Sequence, residues 1–201
     1  MGDQSFFATF VRMLIILTPF FVLSMFLSVT ANMPPHTRRI LALKTATATA
    51  VICLLIYFFG EYVFRYLGIT LDAFRIGAGL ILMLTAVELV IGRNNDGVIR
   101  DEDEGDISIV PLSIPYTIGP GTIGVLMVMA AGASGNAAAR IIESLGIVAA
   151  AAVLGALLYC SHLVERAIGR KGIRILSKVI GLLLAALSAQ IIFTGIKNFL
   201  F

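Results

Sequence analysis

The feature that most constrains this chain is a succession of apolar runs, each close to the length a helix needs to cross hydrocarbon, separated by short clusters of charge. A bilayer core about 30 Å thick takes roughly 20 residues of helix rising 1.5 Å per residue. Read from charge to charge, six runs qualify: residues 7–30, Leu43–Phe64, Phe74–Ile91, a run within 107–132, Ser144–Val164, and the stretch between Lys178 and Lys197. All are continuously apolar, where the strands of a membrane barrel would alternate. With 59% hydrophobic and only 13% charged residues, the chain lies far from the roughly 25% charge of soluble domains. That excludes a disordered segment, a nucleic-acid-binding module and most soluble enzymes. The pattern predicts an all-α integral membrane protein with six transmembrane helices.

The N-terminal segment shows no small-x-small site straight after a short apolar core, so it reads as the first span and not as a removable signal. Ten of the 15 Lys and Arg residues fall in the loops around 31–44, 92–106 and 165–178, and five on the opposite side. Positive loops stay in the cytoplasm, so both termini are predicted outside. The acidic stretch 93–106 (RNNDGVIRDEDEGD) becomes a cytoplasmic linker. The net charge of +3 then reflects span flanks, not a basic partner surface. Cys53 and Cys160 both sit in apolar runs and cannot form a disulfide framework.

The linker divides the chain into halves that repeat. A shift of 101 residues brings Pro19 onto Pro120, Arg39-Ile40 onto Arg140-Ile141, Arg65 onto Arg166 and Gly68 onto Gly169. Two more residues of shift align Arg75 with Lys178, Ala86 with Ala189 and Gly92 with Gly195. Each half holds three spans, an odd number, so the second copy must cross the membrane upside down relative to the first. The expected organisation is a first three-helix repeat over 1–92, the linker 93–106, and an inverted repeat over 107–201. Inverted repeats are typical of secondary transporters, which bind substrate near the bilayer midplane between the repeats.

Polar backbone is concentrated in the fourth span, ISIVPLSIPYTIGPGTIGVLMVMAAG, where Pro111, Pro115 and Pro120 remove three amide donors and Gly119 and Gly121 flank the last proline. A proline inside a helix loses a hydrogen bond and clashes with the preceding turn. A broken helix is therefore predicted near 115–121. Hydrocarbon cannot solvate the freed groups, so the break must face protein or a wet cavity. Pro120 suits a first helical turn. The amides of Gly121, Thr122 and Ile123 would then present donors, with the positive end of a helix dipole behind them, to a carboxylate. The matching place in the first span is Thr18-Pro19-Phe20. Two half-helices broken at the midplane define one candidate pocket. Hydroxyls beside the breaks, on Thr18, Ser24, Thr117 and Thr122, have the best claim to the substrate. The plainer reading is a pair of proline kinks that only pack, with most hydroxyls bonded to their own helix. Glu61, Glu88 and Gln190 are candidate coupling groups, because ionisable or polar side chains at membrane depth are costly. There is no HExxH, GxSxG, GxxxxGK[ST] or Cys/His cluster. No catalytic residue, metal site or cofactor is predicted.

These motifs resemble the MarC family of bacterial inner-membrane proteins, over nearly the whole chain. Val110-Pro111-Leu112-Ser113-Ile114-Pro115 followed by Gly119-Pro120-Gly121-Thr122-Ile123 is similar to the family's V-P-L-x-x-P-x-x-x-G-P-G-[AT]-I signature. Phe64, Gly68-Ile69 and Phe74-Arg75-Ile76 with Gly79 resemble its F-G-I-S-x-x-x-F-R-I-A-G-G segment. Lys171-Gly172-Ile173, Gly181–Leu184, Gln190 and Gly195-Ile196 resemble its last helix. Where the family usually carries Asn-Pro in the first span, this chain has Thr18-Pro19 followed by Phe20 and Phe21, which implies a smaller or differently polarised pocket. The resemblance implies transport of small neutral amino acids such as alanine or glycine. The expectation is a multi-pass exporter in the bacterial inner (plasma) membrane, working by alternating access. Its partners would be the amino acid, a coupling H+ or Na+, and the lipid bilayer, with no nucleic acid; a homo-oligomer stays open. Thr18, Pro19, Phe20, Ser24, Thr117, Gly119, Pro120, Gly121 and Thr122 would form the site. Efflux of other small or apolar compounds, a non-transporting scaffold and a non-coupled channel, which would need a continuous polar stripe where the spans show only scattered hydroxyls, are the alternatives.

Overall fold

The computed structural model describes residues 6–31, 33–68, 70–92, 118–133 and 135–200. Among the described residues every regular element is a helix: α1 Phe6–Ile16, α2 Pro19–Val29, α3 Pro35–Leu67, α4 Leu71–Ile91, α5 Pro120–Gly132, α6 Ala137–Tyr159 and α7 Ser161–Leu200. Local chemistry fixes their ends. Pro19, Pro35 and Pro120 each occupy a first helical turn, where a missing amide is harmless. Thr70 and Asn136 cap α4 and α6 by accepting from Ala73 N at 3.3 Å and Ala139 N at 3.1 Å. Gly68 and Gly92 end α3 and α4 in the left-handed conformation (φ 63° and 76°) that glycine adopts without steric penalty.

Four of these helices, α3, α4, α6 and α7, are long and apolar enough to cross a bilayer. The α1–α2 pair, bent by 43°, makes a fifth span if counted as one. The expected fourth span is only partly described, because residues 107–117 and the linker 93–106 lie outside the described residues. Its visible part, α5, is about 20 Å long and too short to cross alone. Three of the expected loops shrink. Helix α3 starts at Pro35, so most of 31–44 is helical. The fifth span runs 137–159 in place of 144–164, because Asn136 supplies the cap and Arg140 and Glu143 lie inside the helix. Residues 165–178 belong to α7, interrupted at Gly169 (φ 72°, ψ 163°), a conformation essentially reserved for glycine. Charge bounds the apolar window; it does not end a helix.

The helices approach through small residues, as membrane helices do where van der Waals packing replaces the hydrophobic effect. The α4–α7 contact is the most extensive. A side chain at Gly79 would stand 2.6 Å from Ile192 Cγ1, and one at Gly195 would stand 2.9 Å from the Asp72 carbonyl. Ser188 Oγ donates across this seam to the Gly79 carbonyl (2.9 Å). Helix α5 lies against α3 and α4, α1 against α6, α2 against α7, and α3 against α6. Met13, Leu17, Tyr57, Leu82, Ile118, Leu126, Ile147 and Leu184 belong to one core cluster, and α2 with the ends of α3 and α6 builds a second around Phe26 and Leu154. Large apolar side chains such as Phe7, Leu84, Leu182 and Phe193 face outward. That suits hydrocarbon and not water.

Candidate functional site

The first span breaks in the protein interior. Leu17 N and Thr18 N still donate back into α1, to Met13 O (2.9 Å) and Ile15 O (3.1 Å). Thr18 then takes φ 45°, ψ 57°, a left-handed conformation that is a true outlier for a β-branched residue. Pro19 opens α2, and the Thr18 carbonyl accepts from both Phe21 N (3.0 Å) and Val22 N (3.1 Å). The amide of Phe20 is left outside this ladder. Thr18 is only 4% exposed, and its hydroxyl makes no capping bond.

The second break is built alike at its described end. Gly119 is the cap residue, Pro120 opens α5, and Ile123 N donates to Gly119 O (3.1 Å). The Ile123 amide is therefore spent inside the helix, contrary to expectation, and the amides of Gly121 and Thr122 are the first-turn donors that remain. Leu17 and Ile118, each just ahead of its cap residue, belong to the same core cluster. Both half-helices thus begin inside one core.

Several other hydroxyls in the spans bond to their own helix, such as Thr30 to Phe26 O (2.7 Å), Thr47 to Leu43 O (2.9 Å) and Ser177 to Ile173 O (3.0 Å). Thr18, Ser24 and Thr122 make no such bond among the described residues. Thr122 is buried, and Ser24 and Phe20 are half-buried, with Phe20 turned to the second cluster. Gly121 serves close packing: a Cβ there would stand 2.7 Å from Leu82 Cδ1 and 3.1 Å from Leu82 Cα. Its missing side chain is filled by α4 and is not open space. Thr117 lies outside the described residues, and of Pro120 the backbone is described. Of the expected coupling groups, Glu88 and Gln190 face outward, and Glu61 lies near the end of α3 with its side chain outside the described atoms.

A buried carboxylate was missed. Glu143 of α6 is 7% exposed, and Tyr57 Oη of α3 donates to its Oε2 at 2.9 Å. Charge-to-charge reading began the fifth span at Ser144 and left Glu143 in a loop. Asn136 followed by three alanines is the signal that would have found it, since it starts the helix seven residues earlier.

The profile described as "MarC family integral membrane protein" matches residues 3–200. The chain is 34% identical to a UPF0056 membrane protein of Methanocaldococcus jannaschii, with 98% of each chain covered. It is 27% identical to the UPF0056 membrane protein YvbG of Bacillus subtilis, covering 94% of this chain and 92% of that one. To YhcE of Escherichia coli it is 25% identical, covering 96% and 92%. No solved structure matches.

Proposed function

From the premise that this chain belongs to the MarC family of integral membrane proteins, we propose that it is a secondary transporter of small neutral amino acids, working as an exporter in the cytoplasmic membrane. The observation that carries the proposal is the pair of proline-headed half-helices, α2 and α5, that begin inside one core. A membrane protein keeps unpaired amides at depth only where something polar meets them. Among the described residues two amides at the head of α5 and one at the head of α2 have no backbone partner, so the substrate carboxylate goes to Gly121 and Thr122, assisted by the positive end of the α5 dipole. The hydroxyls of Thr18, Ser24, Thr117 and Thr122 complete the cage around the ammonium.

Helix pairing supports alternating access by two inverted repeats. Under a two-fold relation of the halves, which pairs α2 with α5, α3 with α6 and α4 with α7, α2–α6 exchanges with α3–α5 and α2–α7 with α4–α5, while α3–α6 and α4–α7 map onto themselves; all six contacts occur. Gly68 and Gly169, matched by the 101-residue shift, both have positive φ. On this shift the continuous α3 corresponds to α6 plus the segment of α7 ahead of Gly169.

The test is counterflow of radiolabelled alanine and glycine in proteoliposomes. Saturable counterflow in the wild type, weakened in Thr18→Val and Thr122→Val, is expected. Inserted, folded wild-type protein that shows no counterflow would overturn the proposal. Gly121→Leu cannot serve as the test, because it would collide with Leu82 whatever the function. A second reading, efflux of larger apolar compounds, draws on the half-buried Phe20 and Phe21 beside the first break. Competition by apolar solutes but not by glycine would favour it.

A further inference from the structure

We propose that Glu143, held by Tyr57, is the proton-carrying group that couples transport to a pH gradient. The assignment rests on the transporter reading above and adds what drives it. Glu143 lies about 10 Å inside α6 from its N-terminal end, within a helix apolar and long enough to span. Burying an ionised carboxylate at that depth is expensive, so one that occurs there is a functional group by default. Its surroundings are sparse. From α3 the titratable group facing it is Tyr57, from α1 it is Arg12, and on its own helix Arg140 lies one turn earlier. Arg12 acts on it electrostatically from across the α1–α6 contact.

The chemistry of the site favours a proton over a metal ion. A hard cation asks for about six or more oxygen ligands. Glu143 offers one carboxylate whose described partner is a phenolic O–H pointing at it, and no group of three or more His, Cys, Asp or Glu residues able to hold a metal occurs among the described residues. The reaction is a proton transfer: Oε2 keeps the bond from Tyr57, Oε1 takes a proton from hydronium, whose O–H bond breaks to leave water, and the carboxylate becomes a neutral acid. No electron moves and no other bond breaks.

Location makes that neutralisation consequential. Tyr57 belongs to the first half of the chain and Glu143 to the second, so their bond closes the seam between halves. Tyr57 also belongs to the core cluster that contains Leu17 and Ile118, the residues ahead of the two breaks. A charged Glu143 favours the arrangement that keeps Arg12 in range, and a neutral one releases that preference. A proton thus binds the two arrangements unequally, as a coupling ligand must.

The experiment compares wild type, Glu143→Gln and Tyr57→Phe in proteoliposomes, reading both alanine counterflow and accumulation driven by a pH gradient. Glutamine still accepts from Tyr57 but carries no proton. Expected is counterflow in Glu143→Gln within about twofold of wild type, with driven accumulation reduced about tenfold or more. Tyr57→Phe, which keeps the carboxylate, should stay coupled and shift the pH of half-maximal uptake. Driven accumulation that survives in Glu143→Gln overturns the assignment. So does loss of counterflow in folded Glu143→Gln, or a wild type that exchanges alanine but ignores a pH gradient. A wild type without counterflow overturns the transporter reading first, and the assignment falls with it.

Discussion

Thr18 shows how much a single position can hide. Pro19 announces a break in the sequence, and the break is there; what the sequence conceals is that a threonine, not a glycine or asparagine, occupies the left-handed position ahead of it. That conformation brings Cβ close to the following carbonyl, at about 1–2 kcal/mol for ordinary L-residues, with asparagine and glycine the usual exceptions. The Asn-Pro that the chain resembles at this point would sit there with less strain. Thr18→Gly and Thr18→Asn should therefore raise the thermal midpoint of the detergent-solubilised protein, by the equivalent of about 1 kcal/mol. Thr18→Val keeps the strain and removes the hydroxyl, so it should not raise it. An unchanged or lowered midpoint in both Thr18→Gly and Thr18→Asn would show that the surrounding core, and not the backbone, sets the stability here. If the threonine is retained for its hydroxyl, the stabilised variants should exchange alanine more slowly, an ordinary trade between stability and a strained site.

At the scale of elements, α5 is placed by absent side chains. Its Gly121 and Gly124 meet Leu82 and Ala78 of α4 closely enough that a methyl group at Gly124 would fall inside van der Waals contact of Ala78 Cβ. The corresponding residues of α2 are Phe20 and Leu23, so the two half-helices cannot pack equally closely on their neighbours. Gly124→Ala should destabilise by about 1–3 kcal/mol, the range for overpacking, seen as a lower thermal midpoint. Adding Ala78→Gly should restore part of the loss, because the methyl removed lies where the new one points. Equal stability of Gly124→Ala and wild type would refute the packing assignment. None of this was legible beforehand: the Gly119-Pro120-Gly121 run advertised a break, and Gly121 also serves a neighbouring helix that sequence cannot place. Helix ends were misjudged for a related reason. Arg140 and Glu143 read as loop residues because charge was taken to end the span, yet a capped helix carries charge inward where Tyr57 meets it.

Over the whole molecule, apolar periodicity and length foretold the helical membrane class, since hydrocarbon leaves a chain so few options. Some local backbone features were legible too, at Pro19 and Pro120 and at Gly68 and Gly169, whose special backbone needs leave a mark in the residue type. The Tyr57–Glu143 contact was not, because it joins residues 86 apart in the chain and depends on which faces of α3 and α6 meet. What the fold leaves to be decided is which way up it sits, and only the charge balance speaks to that. With six spans, ten of 15 Lys and Arg residues would lie on one side, which predicts the 23-residue α6 with its Asn136 cap outside and Cys160 inside. The two ends stand about 35 Å apart, more than the hydrocarbon thickness, and Ala138 and Cys160 are both exposed. In a Cys53→Ala background, Cys160 should react with a membrane-impermeant maleimide only in inverted vesicles. A cysteine introduced as Ala138→Cys, with Cys160→Ser, should react only in right-side-out vesicles. The reverse pattern would invert the protein, carry Glu143 from the outer to the cytoplasmic third of the membrane, and change the side from which its proton must enter.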